Sequence, residues 1–449
     1  MRHTFIALMA LLAAGNLSAQ PETPIRIDIN AGKQIATVTK RFNGTNIEDL
    51  NNQTNGGMFS QLIHGEAFEE NIDVDFLNLE RKDYSKIYVV LDERRIPHLL
   101  NQSNVYSRIN WNNLGEKYDF NSNDIYSAGR YGAPENLSGW MFPGRFLVYD
   151  SLPENIQKIM MTRINGNEQV SKYWSKLTSG NPQYKYELIR DGKAYMGRQT
   201  QRISFAAGNG EVGITNHGLY RSGIMFENGK SYDGILRIKA DKPTTIYVSL
   251  RDENNNILAE KPYQLKGDGS YEKVVYELTP NGATINGSFG ISLKAPGTVD
   301  LGFAFLQPGT WGRIEGGWPI QTKFTDALKK QGITAFRYNG SMVDVGADTY
   351  LYRWKLMRGP IDERRITFRS GFNPYATHSF GFIEMLQAAE VINATAIIGM
   401  SMNESYEDIR DFVEYVNGPI SSKWGALRAA DGHPQPYSLK YIQVDNERG

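Results

Sequence analysis

From residue 322 to residue 444 the chain alternates helical spacing with short apolar runs, and this alternation limits the folds open to it more than any other feature. Residues 322–330 carry helical spacing that Gly332 closes, and 333–339 (Ile-Thr-Ala-Phe-Arg-Tyr-Asn) follow as a buried strand. A second helix is predicted over 382–391 and a second strand over 395–402. Ser405 and Asp408 have the spacing of a capping box, ahead of Ile409, Phe412, Val413 and Val416 on one helical face, with Gly418 as the stop. Residues 439–444 supply the next strand. Repetition of strand, helix and strand implies a parallel sheet with helices outside it, and functional groups at the carboxyl ends of the strands.

Residues 170–308 read differently. Runs such as 202–205, 234–239, 245–250, 272–277 and 287–293 recur between Gly, Asn and Asp turns, the pattern of an all-β sandwich. A glycine-rich stretch over 309–319, with Gly316-Gly317, makes the junction. Near the start, alternation at 25–29 and 36–39 predicts strands, and a further strand falls near 42–48. The piece 78–169 mixes strand-like runs with loops rich in Asn, Gly and Tyr, and reads as an insertion. Residues 1–19 have the form of a signal peptide: Arg2 and His3, an apolar run over 5–14, and Leu17-Ser18-Ala19 as the cleavage step. That run is shorter than the ~20 residues of a membrane span. The expectation is a secreted or periplasmic protein without a membrane span.

Lys+Arg and Asp+Glu both number 49, so no charge excess points to nucleic acid as a partner. The absence of cysteine excludes disulfides and thiolate metal sites. The six histidines show no paired ligand spacing, so neither metal nor other cofactor is expected. Gly208-Asn-Gly-Glu-Val-Gly213 matches the dinucleotide-binding pattern by letter, but the turn-rich 214–218 that follows supplies no helix to bind the phosphates. There is no Gly-x-Ser-x-Gly elbow. Trp174, Tyr184, Tyr195, Tyr220 and Tyr232 could stack on sugar rings, although core packing is the commoner task of such residues.

The strand ends carry the polar residues: Tyr338-Asn339, Met402-Asn403 and Asn446-Glu447. Buried without partners, each such group costs roughly 1–3 kcal/mol, so their collection at one mouth marks a candidate site. Asn403 is expected to satisfy loop backbone.

The segment 424–437 (Trp-Gly-Ala-Leu-Arg-Ala-Ala-Asp-Gly-His-Pro-Gln-Pro-Tyr), followed by 439–447 (Leu-Lys-Tyr-Ile-Gln-Val-Asp-Asn-Glu), resembles the α-L-arabinofuranosidase family of retaining glycoside hydrolases. Three more blocks agree in order: 44–48 (Gly-Thr-Asn-Ile-Glu), 336–340 (Phe-Arg-Tyr-Asn-Gly) and 411–417 (Asp-Phe-Val-Glu-Tyr-Val-Asn). Residues 56–63 are similar to the family's first barrel helix, and 170–308 to the carbohydrate-binding module inserted in its large members. The resemblance implies a multidomain α/β plus all-β chain: the N-terminal half of a (β/α)8 TIM barrel with an inserted β-sandwich carbohydrate-binding-like domain. Its parts would be the signal peptide 1–19, N-terminal strands and first barrel unit 20–77, the insertion 78–169, the β-sandwich module 170–308, and barrel strands two to four in 309–449.

The resemblance also assigns roles. Glu447 would be the general acid/base and Asn446 would hold the sugar's 2-hydroxyl. Glu48, Arg337, Tyr338 and Asn339 would complete the substrate-binding set, acting on plant cell-wall polysaccharide or oligosaccharide. Two departures stand out. The family's Pro-Gly-Gly-Asn run is here Asn339-Gly-Ser-Met342, which puts methionine where an asparagine is usual. An eight-stranded barrel takes ~250 residues, whereas four strands are counted, with no counterpart of the late-strand nucleophile. The resemblance therefore implies a glycosidase by family and leaves open whether the chain is active by itself. The rival expectations are a carbohydrate-binding protein without catalysis, or an endo-acting glycanase on the same barrel.

Overall fold

The computed structural model describes, in the main, residues 32–49, 52–68, 173–189, 199–340, 354–364, 376–400 and 404–446. Met1–Thr39 cluster as one compact unit and Lys40–Gly449 as a second. In the first unit the described run 33–39 is irregular and exposed, Ile35 and Val38 included. This corrects the strand predicted at 36–39: alternation describes side chains, whereas a strand also needs a neighbouring backbone to bond. The signal-peptide segment lies outside the described residues. So does the insertion 78–169, apart from three two-residue strands, Val90–Leu91, Pro97–His98 and Leu147–Val148.

In the second unit four strands lie side by side, all parallel and in chain order: β1 (Gly44–Ile47), β2 (Ala335–Tyr338), β3 (Thr395–Met400) and β4 (Tyr441–Val444). Between them in sequence come the helices α1 (Thr322–Lys330), α2 (Phe382–Val391), α3 (Tyr406–Asn417) and α4 (Lys423–Ala430). Ile47, Tyr338, Ile398 and Ile442 stand level across the sheet, and this register sorts the side chains onto two faces. Ile47, Phe336, Tyr338, Ile398 and Met400 enter one apolar core with Trp354, Phe382 and Phe412. Burial of each such side chain contributes about 1.5–3 kcal/mol. The opposite face carries Asn46, Arg337, Gly399 and Gln443, by the two-residue period of a strand.

Ser405 caps α3 by accepting the Asp408 N–H at 3.0 Å, as its position predicted. Phe412 and Val416 are buried, whereas Val413 is 41% exposed and leaves the predicted apolar face. Buried Tyr415 takes the place on that face which Val413 was expected to fill.

The residues between β1 and β2 build a nine-stranded antiparallel sheet. Its path runs through strands 257–265, 244–251, 284–293, 200–216, 297–308, 232–239 and 272–278. Strand Trp174–Ile189 pairs along strand Thr200–Asn216, and strand Ile224–Phe226 pairs with strand Thr284–Leu293. The first and last strands of the path are consecutive in the chain, so the sheet curls into a nearly closed, barrel-like form. Long strands change partner along their length: residues 201–205 pair with 297–301, and 212–216 with 289–293. Such hand-overs make a continuous sheet from what periodicity alone reads as two layers. Its core is separate, built from Tyr186, Val212, Leu236, Val248, Phe289 and their neighbours.

Candidate active site

Arg337 sits one residue before the end of β2, on the face turned away from the helices. Its Nε donates to Gln443 Oε1 at 2.7 Å, Nη1 to Asn46 Oδ1 at 2.9 Å, and Nη2 to Asn446 Oδ1 at 2.6 Å. One guanidinium thus ties β1, β2 and β4 together. To reach β4 it must cross β3, and the residue of β3 level with Gln443 is Gly399. A glycine there leaves the crossing open. Asn46 passes the network on, its Nδ2 donating to Glu48 Oε1 at 3.2 Å. Glu48 in turn lies against Gly340, where a Cβ would come within 2.1 Å of Oε1. A side chain at 340 would oblige the Glu48 carboxylate to shift out of the row.

The partners of Arg337 among the described residues are all carboxamides. They engage each of its three nitrogens without neutralising its charge. At the end of β2, Asn339 is fully buried with φ +95°, and neither its Oδ1 nor its Nδ2 has a partner among the described residues.

The structure brings Glu48, Arg337 and Asn446 of the predicted set into this one cluster. Tyr338 points the other way: its ring is buried against Phe380 and Phe382 in the apolar core. The strand period explains the difference, since Tyr338 alternates with Arg337. Glu447, Met402, Asn403 and Met342 lie outside the described residues. Asn46 and Gln443 were missed, although the same period places both on the Arg337 face once the register is known.

The segment leading into β4 is held from beneath. Arg428 is fully buried, and its guanidinium donates to four backbone carbonyls: Tyr415 at 2.7 Å, Gly418 at 2.8 Å, His433 at 3.0 Å and Pro434 at 3.0 Å. Asn417 brackets Leu439, accepting its N–H at 2.8 Å and donating to its carbonyl at 2.9 Å. Asp431 takes a two-point contact from Arg358 at 2.9 and 3.1 Å, and the Tyr415 hydroxyl at 3.0 Å. Burial, with Asp431 beside it, pushes the Tyr415 hydroxyl above its ordinary pKa, so it remains a donor. His433 stacks on Tyr437 at 4.0 Å and reaches Glu390 Oε2 at 2.9 Å. These contacts fix the approach to β4, whose following residue Asn446 joins the Arg337 row.

Of the five aromatic residues considered for sugar stacking, Trp174 and Tyr232 are buried in the antiparallel core and Tyr195 lies over Arg237. Tyr184 and Tyr220 are exposed. Among the described residues no group of His, Asp or Glu side chains is placed to hold a metal ion, and no helix is long and apolar enough to cross a membrane.

This parallel sheet gathers an arginine, amides and an acid at the carboxyl ends of its strands, the end at which parallel α/β folds carry their sites. Residues 327–449 match the family model described as the α-L-arabinofuranosidase 1 domain. An extracellular exo-α-L-arabinofuranosidase of Streptomyces chartreusis is 26% identical over 305 residues, 62% of this chain and 36% of that protein. α-L-Arabinofuranosidase 2 of Arabidopsis thaliana is 26% identical over 255 residues, 53% of this chain and 37% of that protein. The solved structure of an arabinose-bound α-L-arabinofuranosidase of glycoside hydrolase family 51 superposes with a TM-score of 0.61 at 17% identity. That match covers 92% of this chain and 55% of the other, and it shows a shared fold. Over residues 327–449, and more weakly beyond them, the chain is similar to the α-L-arabinofuranosidase family. It spans well under half the length of the curated relatives it matches.

Proposed function

We propose that this chain forms part of an exported, retaining α-L-arabinofuranosidase that removes terminal arabinose from plant polysaccharides. The observation that supports this reading best is the Arg337 row, which joins three of the four parallel strands just where Glu447 follows Asn446. In this proposal residues 44–48 and 309–449 contribute strands one to four of a (β/α)8 barrel, and 170–308 form an inserted carbohydrate-binding-like module. Glu447 is the general acid/base. It protonates the leaving-group oxygen in the first step and activates water in the second. Asn446 holds the 2-hydroxyl, Arg337 orients the carboxylates, and Glu48 and Asn339 contact the sugar. A retaining mechanism needs a second carboxylate about 5–5.5 Å from the first. We assign that nucleophile to none of the described residues, because Glu48 is engaged with Asn46 and Gly340 in the binding row.

The test joins residues 20–449 to the C-terminal portion of the Streptomyces relative and measures release of arabinose from arabinan and arabinoxylan. Activity that disappears in Glu447→Gln supports the assignment, and normal turnover in that variant would sink it. Binding without hydrolysis would mean a non-catalytic sugar-binding protein. Release of oligosaccharides in place of arabinose would mean an endo-acting enzyme.

A further inference from the structure

A cavity of about 500 Å³ opens between the antiparallel sheet, the loop after β1 and the start of α1. It shares no residue with the Arg337 row. Its volume lies in the range of small-ligand sites, about 300–1,000 Å³. One wall is the indole of Trp311, part-exposed and fixed in place: its Nε1 donates to the Ser231 carbonyl at 2.7 Å, and the Tyr232 ring meets it edge-on at 5.7 Å. An aromatic plate held this firmly loses little freedom when a ligand stacks on it. Opposite chemistry is present as well. Glu227 and Asp326 bring carboxylates and Lys323 an ammonium to the lining. Thr322, at the first position of α1, has a buried Oγ1 with no partner among the described residues.

A flat apolar plate surrounded by donors and acceptors of both charges fits a neutral, polyhydroxylated ring. Two carboxylates argue against an anion, and the Lys323 ammonium, with Lys230 Nζ already 5.5 Å from the Trp311 ring centre, argues against a simple cation. We infer that this cavity is a carbohydrate-binding subsite that takes a sugar unit of a pentose oligosaccharide, with Trp311 as its stacking platform. The inference rests on the carbohydrate reading of the chain, but it concerns binding, and hydrolysis plays no part in its test.

The test titrates the 449-residue chain with short linear arabino- and xylo-oligosaccharides by calorimetry, beside tryptophan fluorescence. Trp311→Ala should weaken binding about tenfold, the worth of one aromatic contact. Glu227→Ala, which leaves the junction packing intact, should weaken it by a smaller factor. Tyr184→Ala, on the exposed face of the antiparallel sheet, should leave affinity unchanged. Absence of binding in the unaltered chain overturns the inference. So does binding that survives both Trp311→Ala and Glu227→Ala, or that disappears only with Tyr184→Ala. A hydrolysing completed enzyme whose cavity fails this test would leave the catalytic reading standing, and a binding cavity without hydrolysis would do the reverse.

Discussion

Arg337 and Asn339 are two residues apart and carry opposite energetic balances. Arg337 is bonded through all three of its nitrogens, and its planar fork is what lets one side chain meet Asn46, Gln443 and Asn446 at once. Lysine would keep the charge and lose the fork. Arg337→Lys in the completed enzyme is therefore expected to lower kcat/KM on an aryl arabinofuranoside by about a hundredfold, with the melting midpoint nearly unchanged. Steady-state kinetics beside a melting curve checks both halves of that statement. Asn339 is the converse: left-handed backbone, full burial and an amide without partners among the described residues. Glycine removes the strain and the desolvation together, so Asn339→Gly should raise stability by about 1–2 kcal/mol. If the amide serves the sugar, affinity should fall in the same variant. A stabilised protein with unchanged sugar affinity would take Asn339 out of the site.

At the scale of elements, β4 owes its place to the layer beneath it more than to its own sequence. Tyr441–Val444 is only part-buried, and Val444 is 65% exposed. What fixes it is pairing with β3 together with Arg428 and Asn417, which bind the backbone of the preceding segment. Removal of a buried guanidinium leaves carbonyls unpaired, so Arg428→Met should lower stability by about 3 kcal/mol. Amide exchange over 433–446 should accelerate before that of α2, and hydrogen-exchange mass spectrometry separates the two. Equal acceleration in both would mean that Arg428 supports the whole core and not the approach to β4. The strands and helices around this segment were legible because their apolar spacing matches the local period. Helix α4 was not legible: Lys423–Ala430 mixes a glycine, a tryptophan and an arginine, and its start is set by Ser422 accepting the Gly425 N–H. Gly208 and Gly210, part of a dinucleotide-like pattern, prove to be strand positions where a Cβ would meet the Asn181 and Ser179 carbonyls at 2.2 and 1.9 Å. Asn46 and Gln443 escaped notice for a different reason. Period gives the face of a residue, but only strand register brings three amides to one arginine.

At the scale of the second unit, His64 is a titratable group that joins the loop after β1 to the antiparallel sheet. Its backbone N–H donates to Asn216 Oδ1 at 3.3 Å, its carbonyl accepts from Asn216 Nδ2 at 2.8 Å, and its ring stands edge-on to Tyr173 at 4.5 Å. Burial lowers its pKa from 6.5 to about 4. The folded ring therefore stays neutral while the unfolded one takes up a proton as the pH falls below about 6.5. Stability that is present above that pH is lost down to about pH 4, and no more is lost below it. Between about pH 6 and pH 4.5 the loss should be about 2 kcal/mol. His64→Gln removes the titration, so its stability should fall less steeply over that window in urea unfolding curves taken at several pH values. Parallel slopes for the two proteins would mean that the ring takes up its proton while folded. His64 also lines the cavity beside Trp311. Acid that loosens this joint should thus weaken oligosaccharide binding in the same pH window, while the parallel-sheet core, with Phe382 and Phe412 at its centre, is still intact.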